Sequence, residues 1–104
     1  MPSSLLEPYR HQAYIPARRA LDALTLLQRR WMNSPAASLD AARLKRIISS
    51  LEKYVATLRS PEGDHLGEYP RVVAIIDDLS DFRSPALDSI VGDLEHSRTE
   101  IDNN

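Results

Sequence analysis

Arg43-Leu44-Lys45-Arg46-Ile47-Ile48-Ser49-Ser50-Leu51-Glu52-Lys53-Tyr54-Val55-Ala56-Thr57-Leu58 is the stretch on which the fold turns. Leu44, Ile47, Ile48, Leu51, Tyr54, Val55 and Leu58 recur at intervals of three and four residues, and at about 100° per residue they cover an arc of roughly 120°, the width of a core-facing stripe. This spacing predicts an amphipathic helix that starts at Ser34 or Ser38 and is the longest in the chain.

On either side the same period returns. Ala17, Ala20, Leu21, Leu24, Leu27 and Trp31 mark a helix over about 16–32. Val72, Ile75, Ile76, Leu79 and Phe82 mark a third helix after Tyr69-Pro70, and Leu87, Ile90, Val91, Leu94 and Ile101 a fourth. Prolines at 16, 35, 61 and 85 separate these stretches, and three of them follow a serine. Serine at N-cap followed by proline at N1 opens a helix, because the hydroxyl satisfies an orphan amide and proline has none to leave unpaired. Val72-Val73-Ala74-Ile75-Ile76 also has the composition of a buried parallel strand, but such a strand needs partners and the chain has no second β-branched run. The expected architecture is all-α: a single four-helix domain, a helical hairpin or bundle, over 16–104, preceded by an irregular arm over 1–15 that Pro2 and Pro8 interrupt and Pro16 follows.

The two halves of the chain carry opposite charge. Residues 1–60 hold ten Lys/Arg against four Asp/Glu, and residues 61–104 hold three against eleven, although the net charge is only −2. Such a split either pairs basic helices with acidic ones inside one fold or turns one half toward a partner of opposite sign. The absence of cysteine excludes disulfides, thiolate-bound zinc and thiol nucleophiles together. The N-terminal residues lack the pattern of a secretory signal, and no stretch is long enough to cross a bilayer, so a cytoplasmic protein without a membrane role is expected. Eleven Arg against two Lys, with abundant Ala, Asp and Leu, is the bias of a GC-rich bacterial genome.

Several patterns bear on chemistry. Asp77-Asp78-Leu79-Ser80-Asp81 is similar to the DDxxD motif of prenyl-diphosphate and terpene synthases, whose helix carboxylates hold magnesium on a diphosphate. That chemistry also needs a deep apolar cavity and a second acidic cluster, more than 104 residues enclose, so a solvated helix face is the expectation for these aspartates. A magnesium-dependent all-α nucleotide phosphohydrolase would use Asp78 and Asp81 at i, i+3 with Asp93 and His96 facing them, but the ExxE and ExxD pairs of that class do not occur. Glu62, Asp64, His65 and Glu68 match neither an EF-hand loop nor an HExxH helix. The expected protein is therefore not an enzyme and has no cofactor or metal.

The basic outer face of the second helix, Arg43, Lys45, Arg46, Ser49, Ser50 and Lys53, suits a DNA groove, and DNA binding is the alternative function. Fifteen acidic residues and a pI near 5.9 weigh against it. Helix 1 is not cleanly amphipathic: Leu26 lies about 180° from Ala17, and Gln28 intrudes into the apolar stripe. Trp31 and Tyr54 each offer an apolar body with a polar tip, as interface anchors do, and Arg30 and Arg46 would steer an acidic partner. The arm adds Leu5, Leu6, Tyr9 and Tyr14. Leu26, Arg30, Trp31, Arg46 and Tyr54 are thus the expected partner-binding residues. The function expected of them is that of a small bacterial regulatory protein that binds another protein, for example as an inhibitor (antiactivator) or adaptor of a transcription regulator. The 3,4 spacing of Leu44, Ile47, Leu51, Tyr54 and Leu58 would also serve an intersubunit seam, so a homodimer is expected.

Overall fold

The computed structural model describes residues 2–60 and 66–102, with side chains over 12–36, 39–60 and 66–102. Four α-helices, α1 (Pro2–Met32), α2 (Ser38–Arg59), α3 (Tyr69–Ser80) and α4 (Asp88–Asp102), pack against one another, with no strand among the described residues. Single 3-10 turns, Pro35–Ala37, Leu66–Glu68 and Pro85–Leu87, lead into α2, α3 and α4. The all-α four-helix domain expected from the apolar spacing is the observed fold, and Val72–Ile76 is helical.

Neighbouring helices run antiparallel in the order α1, α2, α3, α4 around the bundle, and α4 closes back on α1. Ala13 and Arg19 of α1 meet Ser97 and Asp93 of α4. Ser50 and Thr57 of α2 meet Arg71 and Glu68 at the start of α3. It follows that α2 and α4 stand on opposite corners and point the same way. The core is built from the four predicted stripes: Ala17, Leu24, Leu44, Leu51, Tyr54, Val72 and Leu94 are wholly inaccessible, and Leu58, Leu79, Leu87 and Ile90 nearly so.

The N-terminal arm is a correction. The backbone is helical from Pro2, so α1 at 31 residues exceeds α2 at 22, and Pro16 lies inside a helix instead of opening one. An interior proline removes one ladder hydrogen bond and crowds the preceding turn, at about 3 kcal/mol. The helix persists because its buried face continues across that point: Ala13, Pro16, Ala17 and Ala20 are all buried, Ala13 against α4. Tertiary packing here outweighs local preference. Tyr14 packs on the core, whereas the side chains of Leu5, Leu6 and Tyr9 lie outside the described residues.

The Ser-Pro marks act one step upstream of the helices. Ser84 is extended (φ −103°, ψ 126°) and precedes the turn Pro85–Leu87, which opens α4, and its carbonyl accepts from Leu87 N–H at 3.0 Å. Pro61 lies outside the described residues, and Pro70 sits in the first turn of α3. Between α3 and α4 the chain reverses at Arg83, which takes φ +50°. A helix stop of this left-handed kind normally uses glycine. No described helix is long and apolar enough to cross a membrane.

Candidate protein-binding surface

Three helices are tied together at the centre of the bundle by two short hydrogen bonds. Ser97 Oγ on α4 donates to the Ala13 carbonyl of α1 at 2.7 Å, and the Tyr54 hydroxyl of α2 lies 2.7 Å from the same Oγ. A serine hydroxyl has one proton, and Ser97 spends it on Ala13, so Tyr54 is the donor to Ser97. Burial, reinforced by the Glu68 carboxylate, holds the Tyr54 phenol well above the ordinary tyrosine value. Tyr54 is therefore a core residue and not a surface anchor, a correction to the expected contact set. The same holds for the proposed intersubunit seam: Leu44, Ile47, Leu51, Tyr54 and Leu58 are all buried within one chain.

Leu26 and Arg30 do come together. Both line an open groove of about 380 Å³ between α1 and α4, with Ala23, Leu27, Ala86 and Ile90. The groove exists because Ala23 and Ala86 are too short to fill the space between the two helices, and Leu26 at its lip is 58% exposed. Arg30 at its edge is exposed and makes no ion pair among the described residues. Higher on the same interface Arg19 is held by Asp93 at 3.3 Å. Arg30 is thus the cation of this groove that remains available to a ligand. Gln28, which interrupts the apolar stripe, is half-buried.

Trp31 closes one end of the bundle. It is half-buried, its ring 5.8 Å from that of Phe82 and tilted by 47°. The Arg43 guanidinium lies over the other ring contact, 4.3 Å from the Phe82 centroid, and 3.9 Å from Asp40. Sequence reasoning did not find this cluster, because Phe82 falls just past the end of α3 and Arg43 counted as part of a basic face. With Arg43 engaged, the exposed basic side chains of α2 are Lys45, Arg46, Lys53 and Arg59. Arg46 stands on the outer face of α2 and does not share the groove with Leu26 and Arg30.

The acidic candidates do not converge. Asp77 and Asp78 are exposed on α3 and Asp81 at its C-cap. Asp93 is bound to Arg19, and His96 lies 3.3 Å from Glu100. Among the described residues no three His, Cys, Asp or Glu side chains are placed to hold a metal ion. Glu62, Asp64 and His65 lie outside the described residues, and Glu68 is 2.6 Å from Arg71. A second groove, of about 370 Å³, runs between α3 and α4, with Leu79, Leu87 and Val91 as its floor and Asp88, Gly92 and Glu95 along one side. Comparison with protein-family models, curated proteins and solved structures finds no match.

Proposed function

We propose that the protein is a small non-enzymatic regulator that acts by binding another protein, and that the α1–α4 groove takes an amphipathic helix of that partner. The observation that carries this reading is the exposed Leu26 beside an apolar groove whose edge holds an unengaged arginine. A helix laid in such a groove buries anchors at i, i+3, i+4 and i+7. An acidic residue on its flank would meet Arg30, giving orientation and a faster encounter at low salt. Helices of this kind are what many transcription regulators use to dimerise, so occluding one is a direct route to inhibition.

Leu26→Asp and Arg30→Glu test the assignment. Tagged wild-type protein captures its partner from a host lysate, and Leu26→Asp is expected to weaken that binding by at least about tenfold, or about 1.4 kcal/mol, with far-UV circular dichroism unchanged. Leu39→Asp, an 82% exposed position on α2, serves as control and keeps the partner. Equal capture by Leu26→Asp and wild type would show that the groove is not the binding surface.

A further inference from the structure

The outer faces of α2 and α4 are unpartnered, and they match each other. On α2 the exposed residues Ala42, Ser49 and Ala56 recur every seven positions, and Arg46 and Lys53 do the same beside them. On α4 Gly92 and Thr99 are exposed, again seven apart, with Asp88, Glu95 and Asp102 on one side of them and Ser89 on the other. One helix thus shows a small-residue track with the cations Arg46 and Lys53 along one edge and Lys45, Glu52 and Arg59 along the other; the second shows a small-residue track with anions along one edge. None of Arg46, Lys53, Asp88, Glu95 and Asp102 makes an ion pair among the described residues.

Gly92 sharpens the case. Glycine inside a helix is disfavoured, and a neighbour pressed against it is the usual reason to keep one. Here a Cβ at position 92 would meet nothing within 4 Å. The fold has no use for the missing side chain, but a second helix approaching from outside would.

The heights also agree. Tyr54 meets Ser97 across the bundle, a separation of 43 positions, and the two helices finish together at Arg59 and Asp102. With α2 and α4 pointing the same way, Arg46 stands level with Ser89, one residue from Asp88. Lys53 stands level with His96, one residue from Glu95. A residue is about 1.5 Å of rise, well within the reach of an arginine or lysine side chain.

We infer that the occupant of each face is a second copy of this chain: α2 of one molecule docks along α4 of the next. A sideways shift with no rotation sets the two helices parallel, small track on small track, with Arg46 against Asp88 and Lys53 against Glu95. Flanking charges choose partner and register in paired helices in this way. The near-zero net charge, −2, leaves little repulsion between copies. The two faces point in opposite directions, so the contact is heterologous and adds copies head to tail instead of closing a two-fold dimer.

Sedimentation velocity over a concentration series at low salt tests this. The sedimentation coefficient is expected to rise with concentration and to fall back to that of a monomer as salt shortens the screening length to about 3 Å. Gly92→Leu, whose Cβ would meet nothing within 4 Å in the monomer, should melt no lower than wild type yet weaken association by about tenfold or more. Arg46→Glu/Lys53→Glu should stay monomeric alone and associate when mixed with Asp88→Lys/Glu95→Lys. A wild-type protein that stays monomeric throughout overturns the inference, including one that instead retards duplex DNA through α2. So does association that survives in both Gly92→Leu and Arg46→Glu/Lys53→Glu.

Discussion

Ser97 carries a larger share of the fold than its size suggests. It is wholly buried and joins α4 to the Ala13 carbonyl and to Tyr54. Ser97→Ala strands the Tyr54 hydroxyl in the core and removes a donor from Ala13, so a loss of about 2–3 kcal/mol is expected in urea denaturation. Tyr54→Phe leaves the bond from Ser97 to Ala13 intact and should cost about 1 kcal/mol. The reverse order would contradict the donor assignment. Tyr54 also makes stability depend on alkaline pH. Its phenol is neutral when protonated, and the folded state holds that proton more tightly than the unfolded chain, whose tyrosines titrate near pH 10. The contribution is complete below about pH 10 and is lost as pH rises above it. Melting temperatures should therefore decline above that pH, and less steeply in Tyr54→Phe. None of this was legible in the sequence. Ser97 sits among Glu95, His96, Arg98 and Thr99, and only the approach of two other helices turns that face inward. Tyr54 lay on the predicted stripe, yet its polar tip made it look equally fit for an interface.

At the scale of the element, α2, α3 and α4 could be read from apolar spacing, because each buries one stripe and the spacing of a stripe is local information. The first fifteen residues could not, because Pro8 and Pro16 signal a break, and what overrides the signal is burial of Ala13, Ala17 and Ala20 against distant parts of the chain. The α1–α4 groove was half legible. Leu26 stood out as off-stripe and Arg30 as its neighbour, but Ala86 and Ile90, which form the opposite wall, become its partners only through the antiparallel return of α4. The stop between α3 and α4 was hidden as well, since the left-handed residue is Arg83, where glycine would have announced it. A residue with a Cβ pays about 1 kcal/mol for that conformation. Arg83→Gly is expected to raise stability by about 0.5–1 kcal/mol, less than the full strain because glycine also loosens the unfolded chain. A destabilised variant in urea denaturation would mean that the Arg83 side chain, which lines the α3–α4 groove, holds the turn itself.

At the scale of the whole molecule, the opposition of charge between the chain's halves resolves into a bundle whose basic helices, α1 and α2, are neighbours and whose acidic helices, α3 and α4, are neighbours. Among the described residues only Arg19 and Asp93 form an ion pair between the two sets of helices, so most of the opposed charge is left on the surface. The equal height of α2 and α4 then has a geometric consequence. Copies that dock by lateral displacement stay in step, and a row of them forms a flat ribbon as tall as one molecule, 53 Å by the Cα extents, and about as thick as one bundle, 18–19 Å. Such a ribbon has polarity: one margin always presents a vacant cationic helix and the other a vacant anionic one. Growth at a margin stops when a protein bearing only one of the two faces binds there, so the length of the assembly, and not only its existence, is open to control by a capping molecule.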